Sequence, residues 1–232
     1  MPQLINKNKI YFYVFCFIFL TTITNQKFIL YIKNIFLIHD IVIKIDKLNI
    51  NEEKFFKFNS FINQNILLIK KEDFFTYLNE INFLQDINIK KKYPSTIIFS
   101  AKKTNIVALT YLNQKKFYIG ENEKFIPSDE IDLTNNLPTI FGKFEISEFL
   151  KLKNLLKELD IDYKNIKKYN FHKTKRWDLY FDNNIIIKLP DKNISNALKV
   201  YKKFKEKNDI NSNKTIDLRI SNRLIIDHEE GA

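Results

Sequence analysis

Residues 10–23 read IYFYVFCFIFLTTI, an aromatic-rich run without a charge, and everything after Lys27 is lysine-rich chain of mixed polarity. That asymmetry decides the architecture: an apolar leader followed by folded, water-facing protein. A helix rises about 1.5 Å per residue, so the run is short for a hydrocarbon core of about 30 Å, which takes about 17–25 residues. Three readings compete. A signal peptide has an apolar region of about 7–15 residues but ends in small residues, and here Thr24, Asn25, Gln26 and Lys27 follow. A buried core helix is the second reading. The third, favoured, is a transmembrane helix over 10–26, with Lys9 and Lys27 reaching toward the headgroups. Lys7 and Lys9, with no acidic residue before the span, place a tail of residues 1–9 in the cytoplasm. Residues 28–38, apolar but broken by Lys33 and Asn34, read as the lead-in to the folded part.

Beyond the leader the hydrophobic pattern changes period several times. Residues 41–45 (IVIKI) predict a short strand. Asn51 is a candidate N-cap with Glu52 and Glu53 in the first turn of a helix whose inward face is Phe55, Phe58 and Ile62. A second helix spans 70–81, with Phe74, Phe75, Leu78 and Ile81 on one face. Strands over 83–91 and 96–101 flank a turn at Tyr93-Pro94-Ser95. Strand, helix, helix, strand, strand makes an α+β unit. The following part is β-rich. It has short strands over 106–112, 115–119 and 124–126, then a loop at 137–142 (LPTIFG). Next come an amphipathic helix over 145–159 and strands over 166–171, 176–181 and 185–189, the last two joined at Asp182-Asn183-Asn184. A helix capped by Asp191 or Asn193 carries Ala197, Tyr201 and Phe204. Strands over 215–220 and 223–226 complete an antiparallel sheet domain with flanking helices.

The chain has 232 residues, about 200 of them beyond the leader, which suits one or two small domains. Hydrophobic content is 45%, with 22 Phe and 11 Tyr, so packed cores are expected and a disordered chain is excluded. The net charge is +11, yet only Arg176, Arg219 and Arg223 are arginines. Phosphate and base recognition favour the forked guanidinium. Lys, Asn, Ile and Phe are also the residues of A/T-rich codons, so composition explains the charge better than nucleic-acid binding does. Cys16 is the only cysteine and sits inside the apolar run, which excludes a disulfide-stapled fold.

Catalytic signatures are missing. Gly120, Gly142 and Gly231 cannot build a phosphate-cradling loop. His39, His172 and His228 lack partners at metal-ligand spacing. Ser147 and Ser195 fall at helix starts, where capping is the ordinary role. Lys167-Lys168-Tyr169-Asn170-Phe171 interleaves cations and rings as a base-stacking strand would, but so does any half-exposed strand. Trp177 is expected in the core.

The order and punctuation of these segments resemble the bacterial cell-division family FtsQ/DivIB. The stretch 83–97 (FLQDINIKKKYPSTI) is similar to that family's strand, basic cluster, aromatic-proline turn and strand. LPTIFG at 137–142 is similar to its leucine-proline loop, Arg176-Trp177-Asp178-Leu179 to its arginine-tryptophan strand, and Ile216-Asp217-Leu218-Arg219 to the start of its last strand pair. Ser221-Asn222-Arg223 stands where the family usually has a glycine turn.

The resemblance implies a POTRA-like domain over 33–104, an FtsQ-type β domain over 105–228 and a tail over 229–232. It implies no catalytic residue, cofactor, metal or small-molecule substrate. The implied protein is a single-pass inner-membrane scaffold of the division septum, its bulk periplasmic. It would bind small single-span division proteins of the FtsB and FtsL type and help control septal peptidoglycan synthesis. Docking is expected by strand addition at the C-terminal segment, tuned by Arg219, Ile220, Ser221, Asn222, Arg223 and Leu224. The alternative is a POTRA-type periplasmic assembly factor for outer-membrane or secreted proteins.

Overall fold

The computed structural model describes residues 7–23, 25–45, 52–78, 80–131, 136–208, 213–220 and 223–228. The chain divides into two compact units, 1–103 and 104–232. It is a mixed α+β protein.

The first unit opens with α1 (Lys7–Ile23) and α2 (Gln26–Ile35). The predicted span over 10–26 is corrected here. α1 stops at Ile23, and Asn25 starts a second helix by accepting the Lys27 N–H on its side chain at 3.0 Å. Residues 28–38, read as lead-in, are therefore mostly helix. Among the described residues no single helix is long and apolar enough to cross a membrane; α1 and α2 pass that test together but are bent by 79°.

Next come β1 (Asp40–Ile45), a 3-10 helix (Glu52–Phe61), α3 (Lys71–Leu78), β2 (Leu84–Lys92) and β3 (Thr96–Lys103). The sheet order is β1-β3-β2, with β1 parallel and β2 antiparallel to β3. β3 alternates, sending Ile97, Phe99 and Ala101 inward. The predicted helix over Asn51–Ile62 has 3-10 winding instead. Phe58 and Phe61, three apart, share its buried side, and Ile62 is only half-buried. Asn51 and the side chains of residues 52–56 lie outside the described residues. Phe58 packs on Phe99 and Phe61 on Phe74, with ring centres 5.0 and 4.3 Å apart. Phe75, expected on the inner face of α3, is exposed.

The second unit contains β4 (Ile106–Leu112), β5 (Lys115–Gly120), β6 (Phe125–Pro127), β7 (Thr139–Phe141), α4 (Ile146–Glu158), β8 (Ile166–Phe171), β9 (Trp177–Phe181), β10 (Ile186–Lys188), α5 (Ile194–Lys207), β11 (Lys214–Asp217) and β12 (Ile225–His228). They form one nine-stranded sheet in the order β12-β11-β10-β9-β8-β7-β4-β5-β6. The expected antiparallel sheet is mixed. β7 lies parallel to both β4 and β8, and β10 is parallel to β11 across the α5 crossover. The loop predicted at 137–142 thus holds a strand in the middle of the sheet. Its β-branched Thr139-Ile140 fits between β4 and β8, Ile140 is fully buried, and the Leu109 N–H donates to the Pro138 carbonyl at 2.9 Å.

α4 lays Ile146, Phe149, Leu152 and Leu156 on this sheet, and α5 lays Leu198 and Tyr201 there. Burial pushes the Tyr201 phenol up to about 12. Trp177 is buried among Phe171, Phe144, Phe149 and Tyr169. Asn193 occupies the N-cap of α5 in a left-handed conformation, but its side chain makes no capping bond. The strand 167–171 is a core strand. Tyr169 faces inward at 1% exposure, so it offers no stacking surface.

Candidate functional site

The two margins of the nine-stranded sheet differ. At one, β6 is three residues long and ends in Pro127, which has no N–H to offer a further strand. At the other, β12 contains no proline and, among the described residues, pairs with β11 alone. Its register sets Ile225 opposite Asp217 and Ile226 opposite Ile216. Successive side chains of a strand point to opposite faces, so a one-faced strand keeps every second position polar. Ile225 and Ile226 are neighbours, and they are 47% and 37% exposed.

The connection entering β12 is anchored before it turns. Leu218 is buried and donates its N–H to the Lys188 carbonyl at 2.9 Å. The Asp217 carboxylate then accepts from the Arg219 backbone N–H at 2.9 Å and from its Nε at 2.8 Å, while Nη2 completes the fork. Arg219 holds the Asp217 carboxyl below its ordinary value, against a smaller opposing push from burial. The Arg223 N–H donates to the Ile220 carbonyl at 3.1 Å.

This local capture explains why β11 stops three residues short of the predicted end at Ile220. β11 ends at Asp217 because the Arg219 N–H is taken by a side chain two residues back, not by a ladder partner. Residues 218–220 and 223–224 are outside any strand, and β12 starts only at Ile225.

Beside the connection lies a groove of about 220 Å³ along the start of α5. Ala197, Val200 and Leu218 are apolar parts of its lining, and Lys192, Arg219 and Arg223 its cationic ones, with Asp191 the only carboxylate. Two of the chain's three arginines meet here. An apolar floor under a cationic rim suits a peptide that pairs an aliphatic side chain with carboxylates.

Of the residues expected to bind a partner, Arg219, Ile220 and Arg223 gather at this groove. Leu224 is half-buried and packs on the main core. Ser221 and Asn222 lie outside the described residues. Sequence reasoning missed Ile225, Ile226, Lys192 and Val200. The consecutive isoleucines were the available signal; Lys192 and Val200 had none, because only the crossover brings α5 beside β11. Elsewhere, His172 Nε2 stands 2.8 Å from Asp178 Oδ2, tying the two strands of the β8–β9 hairpin. Among the described residues no three potential metal ligands converge.

Comparison with known proteins adds the following. Residues 111–219 match the family model described as "Cell division protein FtsQ/DivIB, C-terminal". The match ends at Arg219, before β12. The chain is 24% identical over 157 residues to the cell division protein FtsQ of Rhizobium radiobacter, a stretch covering 67% of this chain and 75% of that protein. It is 26% identical over 182 residues to the cell division protein FtsQ of Rickettsia bellii (strain RML369-C), covering 77% and 68%. Among solved structures it is similar to the major extracytoplasmic domain of the trans isomer of the bacterial cell division protein DivIB from Geobacillus stearothermophilus. That similarity has 15% identity and a TM-score of 0.33, covering 43% of this chain and 88% of that one.

Proposed function

We propose that this chain is a member of the FtsQ/DivIB family of cell-division proteins, supported by the match of residues 111–219 and by its similarity to FtsQ proteins, and that it is a non-enzymatic scaffold at the division septum. In this reading the apolar part of α1 anchors it in the inner membrane with residues 1–9 on the cytoplasmic side. The α+β unit that follows serves as a POTRA-like domain, and the nine-stranded unit presents a docking edge in the periplasm. The partners are small single-span division proteins of the FtsB and FtsL type, through which the scaffold helps control septal peptidoglycan synthesis.

The observation that carries the docking role is the inequality of the sheet margins. β6 is short and closed by Pro127, whereas β12 is open and carries Ile225 and Ile226 toward solvent. An extended partner segment adds a tenth strand along β12 through its backbone. Its side chains then reach the groove, where Arg219 and Arg223 favour carboxylates. Ser221, Asn222 and Leu224 complete the set of residues proposed to tune the choice of partner.

The test is a proline scan. Successive N–H groups of a strand point to opposite sides. Proline at Ile225 and, separately, at Ile226 therefore strikes one outward-facing N–H and one inward-facing N–H. The outward variant keeps its fold, read by Trp177 fluorescence. It is expected to bind the ectodomains of small single-span division proteins about 10–100-fold more weakly, the equivalent of about 1–3 kcal/mol. Unchanged affinity in that folded variant rejects edge docking. Depletion in cells is expected to give filaments; normal septation would reject the scaffold itself.

A further inference from the structure

The proposed function leaves α2 without a role, and its chemistry demands one. The sequence QKFILYIKNI folds into ten helical residues, none of them buried. At about 100° per residue, Phe28, Ile29, Tyr31, Ile32 and Ile35 share one broad side. Gln26, Lys27, Lys33 and Asn34 occupy the other, with Leu30 among them. The residues from Phe28 to Ile32 are between 39% and 66% exposed. An amphipathic helix of this kind needs an apolar cover, and the described residues bury none of its residues.

Three observations identify the cover. Only Thr24 and Asn25 separate α2 from α1. Two residues span at most about 7 Å, so wherever α1 ends, α2 begins. The two helices are bent by 79°, so a helix along the bilayer normal is followed by one close to the bilayer plane. The break is specified locally, since Asn25 also accepts the Ile29 N–H on its carbonyl at 2.9 Å. Finally, a second apolar tip stands beside the exit of α2. Leu67 and Leu68 are 53% and 80% exposed. Their turn is tied back by the Ile66 N–H, which donates to the Phe36 carbonyl at 2.8 Å, and by the Leu37–Asn65 bridge. Exposed Lys70 and Lys71 follow that tip, as Lys27 and Lys33 mark the polar side of α2.

We propose that α2 and the Leu67–Leu68 tip lie in the interfacial layer of a phospholipid bilayer, forming an elbow that seats the first unit on the membrane surface. The inference rests on the reading of α1 as the anchor. It also answers a difficulty of that reading. α1 has 17 residues, about 25 Å at 1.5 Å each, against a core of about 30 Å. Interfacial helices sink about 5–10 Å into the headgroup boundary, so α2 occupies the thickness that α1 leaves unfilled.

The test uses the full chain reconstituted in vesicles of phosphatidylethanolamine and phosphatidylglycerol. A fluorophore on the native Cys16 reports α1. In a Cys16→Ser background, single labels at Ile32→Cys, Lys33→Cys and Leu68→Cys report the two faces of α2 and the tip. Quenching is compared between lipids carrying a nitroxide at the headgroup and deep in the acyl chain. Cys16 is expected to be quenched most by the deep nitroxide. Ile32 and Leu68 are expected to be quenched by the shallow one, at least threefold more than Lys33. A deep Cys16 with Ile32 and Leu68 unquenched overturns the elbow alone. Equal quenching of Ile32 and Lys33 by the deep nitroxide also overturns it, in favour of one continuous span. A Cys16 outside the bilayer overturns the anchor and the elbow together.

Discussion

Gly142→Ala tests whether β7 belongs in the centre of the sheet. Gly142 has φ +104°, where an L side chain is strained. A Cβ placed there would stand 2.0 Å from the Phe171 carbonyl oxygen and 2.9 Å from its carbonyl carbon. The obstacle is backbone of β8, so no side-chain rotation relieves it. Left-handed backbone alone costs an L residue about 1–2 kcal/mol. Reaching ordinary contact distance requires β7 and β8 to part by more than 1 Å, which loosens one or two ladder bonds at about 0.5–1.5 kcal/mol each. The sum is about 1.5–5 kcal/mol, a large share of the roughly 5–15 kcal/mol that holds a domain. The assay is urea unfolding followed by Trp177, the only tryptophan. Its ring centre lies 4.7 Å from that of Phe171, so its emission reports the second unit and the strained position together. With a slope of about 1–3 kcal/mol/M, the midpoint should fall by about 0.5 M or more. A midpoint within about 0.3 M of the parent would refute the reasoning, because it would mean that β7 and β8 are free to separate.

Two other perturbations probe the same unit. Phe149→Ala removes a ring that is 1% exposed and packs on Tyr169 and Trp177, and it is expected to lower stability by about 3–5 kcal/mol in the same assay. Asp217→Asn keeps the shape of the connection that enters β12 and deletes its charge. The folded carboxyl sits below its ordinary value of 3.8, so its contribution is present above that pH and disappears as pH falls through the lowered value. The stability gap between parent and variant is therefore expected at neutral pH and should close in acid; a gap independent of pH would show that Arg219 does not depend on that carboxylate.

Long elements with a clear period were legible in the sequence. α4 shows Ile146, Phe149, Leu152 and Leu156 at helical spacing, and these four are the residues it buries. The hairpin at Asp182-Asn183-Asn184 is a local signal, and Asn184 takes the positive φ that such turns require. β7 was illegible for the opposite reason. Three residues carry no period, and their strand character comes from β4 and β8, which are distant in sequence. The same remoteness hid the groove, because α5 reaches the end of β11 only through the crossover. The helix break after Ile23 depended on one asparagine. A polar residue at the end of an apolar run fits a snorkelling flank and an N-cap equally well, and only the direction of its side-chain bond separates them.

The proline at the end of β6 has a consequence for self-association. Of the two sheet margins, β12 is the one open to pairing with a second copy, and an antiparallel pair formed there is two-fold symmetric. Such a pair would present Pro127 at both outer ends, with no free border left for a third copy. Sheet growth of this kind stops at two, so the proposed scaffold can carry an exposed border without seeding fibres. A dimer of this type would compete with the proposed partner segment for the same strand.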